Sequence, residues 1–196
     1  MVRKCVAALF ALGLVAGSVG AAQNKATEQN TATELTVGVI GLSYTTCSGC
    51  DGIFIASTGG AENGAFSGIG GGSVAVGFYL SPGMSIEPTL ALSTLSSGGS
   101  SVTVFSAGIA VPYYFAKGWG GKGGYIAPRA TYNSLSGSGS SATQFAAGAA
   151  VGTKVALNDM AALRVQANFD YGFESSDVSS TTAFGALLGL SVFLKK

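Results

Sequence analysis

From Glu34 onward, apolar and polar residues alternate with a period of two, most sharply in Ala161 to Glu174. One face of that segment reads Leu163, Val165, Ala167, Phe169, Tyr171 and Phe173; the other reads Arg164, Gln166, Asn168, Asp170 and Gly172. Successive strand side chains point to opposite faces, so the segment predicts a strand with one apolar and one polar wall. The same split runs through Gln144 to Leu157, where Phe145, Ala147, Ala149, Val151, Val155 and Leu157 oppose Gln144, Gly148, Gly152 and Lys154. Asn158-Asp159 between them is turn chemistry for a tight hairpin. Further copies at Glu34–Tyr44, Phe66–Leu80, Met84–Leu95, Val102–Phe115, Gly124–Leu135 and Thr182–Leu194 bring the number of predicted strands to eight.

The connections alternate in kind. Ser81-Pro82-Gly83, Ala116 to Gly123 and Asn158-Asp159 form one set; the longer or Gly/Ser-rich Thr45 to Ala65, Ser96 to Ser101, Ser136 to Ala142 and Ser175 to Thr181 form the other. An up-and-down membrane barrel with both termini in the periplasm has this order, with short inner turns and longer outer loops. Strands of about 10 to 14 residues also suit a tilted crossing better than the shorter strands of a soluble sandwich.

Composition points the same way. Charged residues are 10% of the chain, Gly contributes 31 of 196 residues, and mean hydropathy is +0.46. Beyond the N-terminal region no apolar run reaches the length of a spanning helix, and a closed barrel is the other structure that satisfies its backbone inside a bilayer. Residues 1–22 have the three parts of a secretory signal: charge at Arg3-Lys4, an apolar run from Cys5 to Ala16, and small residues up to Ala22. Cleavage is expected after Ala21 or Ala22. Cys5 begins the apolar run rather than ending it, so no lipid attachment is expected. Residues 23–33 read as a flexible tail and 34–196 as the barrel. The net charge is +1 without a basic block, which argues against a nucleic-acid partner.

Aromatics gather near the predicted strand ends. Phe78, Tyr79, Tyr113, Tyr114, Phe115, Trp119, Tyr125 and Phe193 lie toward one end, and Phe66, Tyr132, Phe145, Tyr171, Phe173 and Phe184 toward the other. They are expected to form two interfacial girdles. Pro88, Pro112 and Pro128 fall inside predicted strands and are expected at bulges or strand ends.

On these features the chain resembles the OmpA/opacity-like outer-membrane β-barrel proteins, most clearly in Ala146 to Val165, which looks like that family's penultimate hairpin. The resemblance implies an all-β, eight-stranded, up-and-down barrel in the outer membrane of a Gram-negative bacterium, with both termini periplasmic. Partners implied are outer-membrane lipid and the barrel insertion machinery; no extracellular partner is indicated. Barrels of this kind often finish on an aromatic residue, whereas here Phe193 is followed by Leu194-Lys195-Lys196.

With apolar side chains toward lipid, the inward set is Glu87, Arg129, Lys154, Arg164, Gln166, Asn168 and Asp170. Eight strands enclose a space that side chains can fill, so these residues are expected to pair across the lumen and close it. The alternative is a narrow passive, porin-like channel for ions or small solutes whose selectivity they set. Cys47 and Cys50 are expected to form a disulfide in the first outer loop, as suits an oxidising compartment. A metal or redox site is the weaker reading, since the chain has no histidine. Outer-membrane barrel enzymes mostly rely on a histidine base, so no catalytic residue, cofactor or enzymatic activity is expected. The glycine-rich Gly68 to Gly72 and Gly118 to Gly124 lead into no predicted helix and read as bends rather than phosphate loops.

Overall fold

The computed structural model describes residues 33–47, 50–56, 72–97, 100–115, 123–137 and 139–194. The expected signal peptide, residues 23–32 of the expected tail, Phe66 and Trp119 lie outside these residues, whereas Thr33, expected in the tail, begins the first strand. The strands are β1 (Thr33–Cys47), β2 (Cys50–Ala56), β3 (Gly72–Ser81), β4 (Met84–Ser97), β5 (Ser100–Ala110), β6 (Tyr113–Tyr114), β7 (Gly123–Gly137), β8 (Ser140–Ala156), β9 (Ala161–Gly172) and β10 (Thr181–Leu194). There is no helix among the described residues.

Antiparallel pairing runs β10-β9-β8-β7-β5-β4-β3-β1-β2, and β10 pairs with β1 to close the ring. The ring has eight staves, because two of them are each built from two strands. β2 and β3 both run antiparallel to β1, β2 along Gly41 to Cys47 and β3 along Thr33 to Val37. β5 and β6 share one register against β4, in which Glu87 faces Ala110 and Met84 faces Tyr113.

The break between β5 and β6 has a local cause. The Val111 N–H donates to Pro128 O at 3.0 Å, but Pro128 has no N–H to return, so that rung keeps one bond of two. Pro112 then falls at the end of β5, as expected of a strand-end proline. Pro88 lies where the β3–β4 ladder is interrupted, between the rungs Ala75–Thr89 and Phe78–Ile86. Pro128, by contrast, sits in an unbroken β7–β8 register opposite Ala149, because its missing donor is directed to the other side.

The expected first outer loop, Thr45 to Ala65, is corrected in part. β1 continues to Cys47, and Ile53-Phe54-Ile55 pairs back onto β1 as part of β2. A run rich in β-branched and aromatic residues favours strand over loop, which the glycine and cysteine punctuation had obscured. The expected outer loops Ser96 to Ser101 and Ser136 to Ala142 are likewise mostly strand, with β4–β5 and β7–β8 paired as far as Ser97–Ser100 and Gly137–Ser140. The turn at Asn158 matches expectation: its Oδ1 accepts from Met160 N–H at 2.8 Å.

Sidedness follows the alternation. Leu92 and Phe145 stand outward at 62% and 65% exposure, while Glu34, Glu87 and Lys154 are buried at 0%, 1% and 2%. A wall that exposes its large apolar residues and buries its charges is inside out relative to a soluble protein.

Candidate functional site in the barrel lumen

Alternation alone decides which residues enter the lumen. Phe78 points outward and Tyr79 inward; Tyr113 and Phe115 point outward, with Tyr114 between them buried; Ile126 is outward beside the buried Tyr125. Phe193 is buried, with Leu194 next to it half exposed. Tyr79, Tyr114, Tyr125 and Phe193, expected in the girdle, therefore belong inside the barrel. Position near a strand end does not determine facing; parity within the strand does.

These rings surround one ammonium group. Lys154 Nζ lies 5.9 Å from the ring centre of Tyr79, 5.0 Å from Tyr114 and 5.7 Å from Tyr125. It donates to Glu34 Oε2 at 2.7 Å, to Glu87 Oε1 at 3.2 Å and to Tyr114 Oη at 2.8 Å. Its three donors thus meet two carboxylates and a phenol. The opposite carboxylate oxygen of Glu87 accepts from Arg164 Nη1 at 2.7 Å. Tyr79 donates to Glu34, and Tyr114 to Glu87 at 3.2 Å.

The network continues from Arg164 away from the termini. Arg164 Nε donates to Tyr125 Oη at 2.8 Å and to Gln166 Oε1 at 3.0 Å, and Gln166 Nε2 donates to Asn168 Oδ1 at 2.6 Å. Residues 164, 166 and 168 are successive inward positions of β9, which makes the chain of contacts a direct product of period-two alternation. A further ion pair joins Arg129 Nε to Asp170 Oδ1 at 3.1 Å. A water-sized cavity lined by Thr89, Arg129, Thr131, Arg164 and Gln166 lies between the two groups.

All seven residues of the expected inward set are on the inner wall. Glu87, Lys154, Arg164, Gln166 and Asn168 are brought into one network, and Arg129 pairs with Asp170. Sequence reasoning missed Glu34, although it precedes the outward Leu35 and Val37 and so has inward parity. Its inclusion balances the lumen, with Glu34, Glu87 and Asp170 against Arg129, Lys154 and Arg164.

Phe169 and Phe184 meet on the outer surface with ring centres 5.1 Å apart, as do Tyr132 and Phe145; Tyr171 and Phe173 are 5.4 Å apart. Cys47 and Cys50 face each other as the last backbone pair of the β1–β2 hairpin. Among the described residues no cluster of three or more His, Cys, Asp or Glu could hold a metal ion.

No family model matches the sequence, and no curated protein does. Solved structures do match. Neisserial surface protein A aligns over 84% of this chain and 98% of its own, at 12% identity and a TM-score of 0.62. OprG, an outer membrane protein of Pseudomonas aeruginosa, aligns over 87% of this chain and 100% of its own, at 8% identity and a TM-score of 0.46. The Ail attachment invasion locus protein of Yersinia pestis aligns over 83% and 97%, at 9% identity and a TM-score of 0.43. The fold expected from the OmpA/opacity-like resemblance, a small eight-stranded up-and-down β-barrel, is the fold of this chain.

Proposed function

We propose that this chain is an integral outer-membrane barrel of a Gram-negative bacterium that acts through its outer surface, with a lumen closed by its own side chains. The observation that carries the reading is the buried sequence of contacts Glu34–Lys154–Glu87–Arg164, set among Tyr79, Tyr114 and Tyr125. Charges that satisfy one another across a narrow lumen leave no ring of one sign to select a permeating ion. The same pairing favours a structural or surface-interaction role over an enzymatic one, since Glu87 and Lys154 are held by partners and are not presented to a substrate. The cluster sits at the end of the barrel that carries both termini, the periplasmic end in this reading.

Two measurements test this. Mature protein refolded in detergent should migrate differently before and after boiling, as a closed barrel does. Reconstituted into planar bilayers, it should give no sustained conductance steps. Stable steps in the wild type would overturn the closed lumen and establish the narrow channel instead.

A further inference from the structure

The water-sized lumen cavity gathers an unusual set of groups. Arg129 and Thr131 reach it from β7, Arg164 and Gln166 from β9, and Thr89 from β4; the rest of its lining is aliphatic. Among the described residues no Asp or Glu lines it, although Asp170 and Glu87 hold the two arginines from outside it. The arginine side chains are only 6% and 4% exposed. Thr131 is buried as well, and its Oγ1 has no hydrogen-bond partner among the described residues. The cause lies across the β5–β7 ladder, where Thr131 faces Gly108. A Cβ built on Gly108 would stand 2.8 Å from Thr131 Cγ2, so the threonine methyl fills that gap and the hydroxyl is turned elsewhere.

We infer that this cavity is a binding site for one small halide ion, with chloride as the natural occupant. The site needs only the inner wall described above and goes beyond the closed-lumen reading, which conductance tests separately. Three features favour a halide over a water molecule. The lining is rich in donors and poor in acceptors. Gln166 Oε1 already accepts from Tyr125 Oη at 2.6 Å, from Arg164 Nε at 3.0 Å and from Arg164 Nη2 at 2.5 Å, while Gln166 Nε2 donates to Asn168. A water would bring two donors that need acceptors of their own, whereas a halide only accepts. Coulomb attraction falls with distance, so the arginines that line the cavity outweigh the carboxylates that stand outside it. The space is also too small for phosphate, sulfate or a carboxylate, which leaves a single-atom anion. Bound there, the halide accepts from Thr131 Oγ1 and stands between Arg129 and Arg164, tying β7 to β9 across β8.

Crystals of the mature full-length protein grown in sodium bromide test this directly. An anomalous scattering peak should appear in the cavity, within hydrogen-bond reach of Thr131 Oγ1. A peak there without anomalous signal would mean water only and would overturn the inference, as would bromide found only elsewhere. In detergent solution, replacing gluconate by chloride at constant ionic strength should raise the temperature at which the unheated gel band converts to the boiled form by about 2 to 5 °C. Gluconate is too large for the cavity, and fixed ionic strength holds screening constant. Thr131→Val keeps nearly the same shape but removes the donor, so it should weaken chloride binding about tenfold and lose most of that increment. No increment in the wild type, or an unchanged one in Thr131→Val, would sink the idea. If the variant does not fold, the bromide map of the wild type decides alone.

Discussion

Lys154 Nζ and Glu34 Oε2 lie 2.7 Å apart, although 120 residues separate them in the chain. β8 and β1 stand on opposite arcs of the ring, so this contact crosses the lumen. Neither residue reaches water, and removing one member of such a pair leaves the other buried and uncompensated. Lys154→Met should cost about 3 to 5 kcal/mol, read as a lower urea midpoint for loss of the folded gel band. Glu34→Gln added to it should recover part of that loss, with a coupling of about 0.5 to 3 kcal/mol in the full cycle. Strictly additive costs would show that the contact does not hold the two strands together.

Much of this arrangement was legible in the chain because period two is an exact rule of strand geometry. Once the outward set on β9 was recognised, Arg164, Gln166 and Asn168 had to share the inner wall. What parity did not supply was distance across the barrel. Glu34 opens the first predicted strand with inward parity, but its place beside the predicted tail also suits a solvated terminal residue. Tyr79, Tyr114 and Tyr125 were misplaced for a related reason: an aromatic near a strand end suits an interfacial girdle and a lumen floor equally, and only its neighbours' facing separates them. β2 was hidden by its flanks, since Cys-Ser-Gly-Cys before it reads as loop while its own Ile53-Phe54-Ile55 reads as strand.

Tyr125 occupies the lumen because β8 offers it a glycine. A Cβ built on Gly152 would stand 2.6 Å from Tyr125 Oη and 2.7 Å from Val165 O. Neither neighbour can yield easily, since the phenol is held by Arg164 and Gln166 and the carbonyl belongs to a paired strand. Gly152→Ala should lower stability by about 1 to 3 kcal/mol, the cost of overpacking. Gly77→Ala meets Glu34 Cβ at 3.3 Å and should cost less, and comparison of the two unfolding midpoints checks the order.

Cys47 and Cys50 form the last rung of the β1–β2 hairpin. Directly paired residues in antiparallel strands have Cα atoms about 4.5 to 5.5 Å apart, within the range that a disulfide spans. Protein purified without reductant should therefore resist maleimide labelling until reduced, after which mass spectrometry should count two labels on the mature chain. Immediate double labelling would exclude the bond.

Phe193 and Leu194 are adjacent and opposite in facing, Phe193 fully buried and Leu194 half exposed. Phe193 packs with Tyr79, Tyr114, Tyr125 and Ala162 at the floor of the lumen, and its N–H donates to Met160 O at 2.8 Å. The outward-facing pattern of β10 ends on Leu190, Val192 and Leu194, so the residue that completes the outer wall is the leucine and not the aromatic. Phe193→Ala should cost about 3 to 5 kcal/mol, because it empties a packed position with no solvent to fill it. Leu194→Ala removes side-chain atoms from the exposed outer surface, and its midpoint should stay within about 1 kcal/mol of the wild type. Reversal of that order would mean that β10 is anchored from its outer face rather than from the lumen.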